Sequence, residues 1–154
     1  MKKTALILFL SAFFFLLAGN ANEAKAQCKQ QMVYQCATKG RNAIYLRDFN
    51  TKLRRVRSGN QSGTKWTVVL NKGTTYRFIL CTPPEFKNKV ELTLFDSQHP
   101  EKTKPWGKTE DGRPIFDFVC GRSGMYYVSI RFKKGEGDKK TCAVGIMSFV
   151  GKNQ

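Results

Sequence analysis

Histidine is almost missing from this chain: His99 is the only one, and it stands before Pro100 in a charged stretch. A Ser/His/acid or Cys/His site would have to use it. No G-x-S-x-G motif lies near it, and Ser123, in "GRSGM", lacks the strand–Ser–helix setting of a nucleophile elbow. Close cysteine pairs of the C-x2-C kind are also missing, which argues against the usual zinc sites. No sustained helical stripe is present, and so no glycine-rich phosphate loop leads into a helix. Acidic residues are scarce, 11 against 27 Lys and Arg, for a formal net charge of +16. Glu110 and Asp111 are adjacent in a turn and Asp117 lies between aromatics on a strand, so a spaced carboxylate pair for hydrolysis is not evident. These gaps predict a protein that is not an enzyme, with no metal and no cofactor.

Long apolar runs are confined to the start. Lys2 and Lys3 precede a nearly unbroken apolar run from Ala5 to Ala18, and Ala24-Lys25-Ala26 forms an A-x-A site. The run is shorter than the roughly 20 residues a membrane helix needs and fits a secretory signal. Lys25 and Gln27 before Cys28 argue against a lipoprotein. Residues 1–26 are therefore read as a cleaved signal and 27–154 as a single exported domain, periplasmic or extracellular. Losing three lysines and one glutamate takes the charge from +16 to +14.

All five cysteines fall in the mature part. In an oxidising compartment this predicts two disulfides and one free thiol. Cys28 and Cys36 are close in sequence and are expected to pair, leaving Cys81 with Cys142. Cys120 shares a strand face with Phe116 and Phe118 and is expected to be a buried free thiol.

What is plentiful is period-two alternation in short runs. Trp66, Val68 and Leu70 share one face of "KWTVVL"; Tyr76, Phe78 and Leu80 alternate against Arg77 and Ile79; Val90, Leu92 and Leu94 alternate with Glu91 and Thr93. "AIYLRD", "PIFDFVC" and "TCAVGIMSFV" are further strand-like runs, with Gly, Pro and Asn between them. In "SGMYYVSIRF" the inward set is Tyr126, Val128, Ile130 and Phe132, with Tyr127 expected at the surface. The pattern predicts an all-β, antiparallel β-sandwich of about seven or eight strands.

The stretches "GTTYRFIL", "VELTLFDSQ" and "IFDFVCGRSGMYYVSI" resemble the bacterial pre-peptidase C-terminal domain. Gly73, Tyr76, Phe78, Leu92, Leu94, Asp96, Gly124, Tyr126 and Val128 match its pattern over about residues 66–150. The resemblance implies a small jelly-roll-like sandwich, usually an accessory module of secreted enzymes. Here it stands alone, and Asn88-Lys89 replaces the acidic residue often found before the Leu-x-Leu strand, so calcium binding is not carried over.

Charge is the remaining signal. An excess of this size exceeds the roughly 2–8 that solubility asks of a small domain. Arg54, Arg55 and Arg57 lie in one irregular segment, and Lys102, Lys104 and Trp106 lie in another, Asp96 to Pro114. Irregular segments commonly carry binding residues, so these six are expected to form one contact region. The expected role is that of an exported binding or scaffolding module for an anionic envelope polymer. The alternative is a secreted inhibitor or accessory subunit binding an acidic protein face. Export makes nucleic acid a minor option.

Overall fold

A computed structural model describes residues 28, 30–54, 62–96 and 103–152. The segment read as an export signal lies outside the described residues. Among these described residues, eight strands form two antiparallel sheets of four. They are β1 (Ile44–Leu53), β2 (Gly63–Leu70), β3 (Thr74–Cys81), β4 (Val90–Phe95), β5 (Gly107–Lys108), β6 (Ile115–Val119), β7 (Gly124–Phe132) and β8 (Thr141–Lys152). One sheet runs β1-β8-β3-β6 and the other β2-β7-β4-β5.

The alternation read from the sequence sets the faces. Phe49, Leu53, Val68, Leu70, Phe78, Leu92, Leu94, Val128, Ile130 and Phe132 all belong to one buried core between the sheets. Phe116 stacks on Phe78 at 5.2 Å. Tyr126, Val128, Ile130 and Phe132 are core residues, as their alternation requires. Gly145 faces inward on β8, and a Cβ there would sit 2.8 Å from the Leu92 Cδ1 and 2.9 Å from that of Ile130. The sheets approach closely at this point because β8 carries no side chain.

Two features depart from expectation. The first is a helix, α1 (Gln30–Ala37), where none is predicted. It covers the outer face of the β1-β8-β3-β6 sheet. Met32, Val33 and Ala37 pack there on a second cluster of Cys36, Ile79, Cys81, Val144 and Ile146. Ile79, read as outward, is thus fully buried. The second is Tyr127, expected at the surface but only 7 % exposed. It is flanked in register by Thr67 on β2 and Phe95 on β4, and the Lys65 ammonium lies 5.6 Å from its ring centre. A central strand leaves little of a long aromatic ring uncovered even on its outward side.

The disulfides join Cys28 to Cys142 and Cys36 to Cys81, and Cys120 is a buried free thiol. The expected pairing of Cys28 with Cys36 and Cys81 with Cys142 is therefore corrected. Helix geometry gives the reason. Cys36 lies six residues into α1, about 9 Å along the helix axis from Gln30, so the helix carries it away from the N-terminal arm that holds Cys28. Cys36 instead points at β3. Cys81 pairs in register with Val144 rather than Cys142, and Cys142 is left to the N-terminal Cys28. Two disulfides place the chain in an oxidising compartment, outside the cytosol.

Candidate functional site

The six residues expected to form one basic contact region are not brought together. Arg54 follows β1, is exposed, and donates its backbone N–H to Ser62 Oγ at 2.9 Å. Lys104 and Trp106 precede β5. β1 and β5 are edge strands on opposite sides of the two sheets, and Arg54 lies at the end where β1 finishes and β2 begins. Trp106 lies towards the other end, donating its backbone N–H to the Leu94 carbonyl at 2.8 Å. Trp106 is 59 % exposed, and its ring leans on Phe118 at 6.4 Å. Arg55, Arg57 and Lys102 lie outside the described residues, as does His99.

Two of the residues weighed for catalysis, Ser123 and Asp117, make hydrogen bonds that tie the fold together. Ser123 Oγ accepts the Lys72 backbone N–H at 2.8 Å. Asp117 receives two hydrogen bonds from Arg77, at 2.7 and 2.8 Å, while Arg77 also donates to the Arg41 carbonyl at 2.8 Å. The bond to Asp117 raises the Arg77 pKa further above its ordinary value. Among the described residues no three His, Cys, Asp or Glu side chains gather in a way that suits a metal ion.

A different site emerges at the end of the sandwich where β2 turns into β3 and β6 into β7. The first turn, Asn71–Gly73, needs a positive φ, supplied by Gly73 at 75°. The second, Cys120–Ser123, is tied to it through backbone. Gly73 N–H donates to the Cys120 carbonyl at 2.8 Å and Cys120 N–H to the Thr74 carbonyl at 2.9 Å. Phenols reinforce both turns: Tyr126 donates to the Arg122 carbonyl at 2.9 Å, and Tyr76 accepts the Asn71 N–H at 3.0 Å. The Cys120 thiol also donates to the Arg122 carbonyl, at 3.1 Å. Burial, with help from the hydrogen bond to Cys120, pushes the Tyr126 pKa up to about 12. These bonds tie the two turns into one unit.

Around this unit the surface is apolar where solvent would favour polar groups. Val69 and Met125 are register partners on β2 and β7, 69 % and 62 % exposed. Val119, at the end of β6, is 55 % exposed. Ile44 and Leu46, at the start of β1, are exposed at the same end. Single exposed apolar residues are normal; Val69 and Met125 differ in being adjacent, side by side on the outer face of one sheet, whereas Val119 faces outward from the other. Lys72 and Arg122 rise between them, Arg122 reaching Asp96 at 3.7 Å with most of its side chain in solvent. The sequence held a signal for this site: Val69 and Met125 are apolar at the outward positions of otherwise alternating strands.

No family model matches the chain, and no curated protein matches it. Its structure is similar to the crystal structure of Aeromonas hydrophila PliG, a periplasmic lysozyme inhibitor of g-type lysozyme. The TM-score is 0.56 and the identity 12%, over 69% of this chain and 87% of that one. At that identity the likeness is one of fold.

Proposed function

We propose that this chain is an exported, non-catalytic inhibitor that docks on a protein, and that its partner is a wall-degrading glycoside hydrolase with an acidic cleft. The observation that carries this reading is the exposed apolar pair of Val69 and Met125, adjacent in register on the outer face of one sheet beside two hydrogen-bonded turns. A polymer-binding surface would not need it; a protein interface core does. Lys72 and Arg122 supply charge that suits the carboxylate pair of a glycosidase cleft. The fold shared with a lysozyme inhibitor supports the same reading. The reading of residues 66–150 as a pre-peptidase C-terminal relative remains a proposal about kinship and does not bear on the partner.

The test is inhibition of a panel of lysozymes, g-type included, by the oxidised protein and by a Val69→Glu/Met125→Glu variant. Inhibition by the parent protein and its loss in the variant is the expected result. Equal inhibition by both would move the contact elsewhere. No inhibition of any member would end the glycosidase reading.

A further inference from the structure

The opposite end of the sandwich carries a second feature, independent of the docking end. An open groove there is walled on one side by Lys52, Leu53 and Arg54 at the end of β1, and on the other by Asp138, Lys139 and Lys140 before β8. The described lining thus holds four cations against one carboxylate. The walls are held together by structure: Leu53 pairs with Thr141 and Lys52 with Cys142 in register, and Cys142 is bridged to Cys28. Neighbouring cations at this end are engaged, Lys89 with Glu136 at 3.9 Å, Lys133 with Asp111, and Arg113 with Glu110. Arg54, Lys139 and Lys140 have no ion pair among the described residues, and all three are exposed. Their charge is therefore available to a ligand.

We infer that this groove binds a linear acidic polysaccharide, uronate or sulfate in type. A cluster of exposed cations on both walls of an open groove suits the dense charge of such a chain, and release of its counterions drives binding. Two rivals fit less well. Single-stranded nucleic acid is usually held with aromatic rings for its bases, and no aromatic residue is among those described in the lining. A membrane surface calls for exposed apolar groups beside the cations, and among the described lining residues the only apolar one, Leu53, is 1% exposed. The groove end would hold the protein on anionic glycan while the apolar end stays free for its partner.

The experiment is elution of the full, oxidised protein from immobilised heparin and from immobilised polygalacturonate across a salt gradient, with single-stranded DNA as a third arm. Affinity should fall at least about tenfold between roughly 50 and 200 mM salt. Arg54→Glu, Lys139→Glu and Lys140→Glu together should abolish retention on both glycans, whereas Val69→Glu/Met125→Glu should not change it. If the charge-reversed protein does not fold, glutamine at the same three positions gives the same reading, with elution at clearly lower salt. Unchanged retention of the folded triple variant overturns the site. Tighter binding of DNA than of either glycan overturns the ligand class.

Discussion

Replacing Cys36 and Cys81 together by alanine opens the bridge that fastens α1 to β3. The bridge closes 45 residues of chain. In the chain-entropy account, a loop of that length stabilises the fold by about 4 kcal/mol through its effect on the unfolded ensemble. The native side adds to this. An eight-residue helix is far too short to persist alone. After the change α1 would be held by Met32, Val33 and Ala37 against Ile79, Val144 and Ile146, and by the Cys28–Cys142 bridge just before it. We expect a loss of about 3–5 kcal/mol, which for a domain of this size lowers Tm by more than about 10 °C. Urea unfolding with linear extrapolation measures it, and the m-value should rise because the unfolded chain is less compact. Amide exchange should rise most in α1, less in β3 and β8. A loss below about 1 kcal/mol would refute the loop argument. Uniform loss of protection through both sheets would refute the claim that α1 is an added layer rather than part of the sandwich core.

Three further outcomes follow from the packing and the charges. Phe78→Ala, in the centre of the core, should cost about 3–5 kcal/mol by urea titration. Gly145→Ala should cost about 1–3 kcal/mol, because the new methyl meets Leu92 and Ile130 where the sheets approach, and a Leu92→Ala background should recover part of it. The Tyr126 pKa is raised in the fold from its ordinary 10.0 to about 12, so its contribution is complete below pH 10 and is lost as pH rises from there through 12. Phenolate absorbance should show a late-ionising tyrosine that disappears in Tyr126→Phe, and that variant should lose less stability across the same window.

The legible part of the fold was the part governed by alternation. Trp66, Val68 and Leu70, or Tyr126, Val128 and Ile130, fall at every second position, and a half-buried strand is the physical solution to that pattern. The helix was not legible as a helix, because its apolar positions, Met32, Val33, Cys36 and Ala37, span barely two turns. Its presence was implied indirectly. Ile79 is apolar on the face that Arg77 shares, and "CAVGIM" on β8 is apolar on both faces, so something has to cover that side of the sheet. The disulfide pairing escaped for the same reason: sequence proximity favours Cys28 with Cys36 only while the segment between them is not helical. The candidate site was half legible. Charge clusters in the sequence single out Arg54 and Trp106, which the topology sends to opposite edges, whereas the exposed Val69–Met125 pair depends on the register of β2 against β7, which a single sequence does not reveal.

The most direct test of the proposed role is capture of a partner on the docking end. The oxidised protein and its Val69→Glu/Met125→Glu variant would be titrated into a g-type lysozyme while wall lysis and complex formation are followed together. The parent protein should halt lysis at a one-to-one ratio. The variant, with its fold and its retention on heparin unchanged, should do neither, a loss in affinity of at least about a hundredfold for two charges buried in an interface core. Lysis that continues at saturating parent protein, or that stops equally with the variant, would contradict the account.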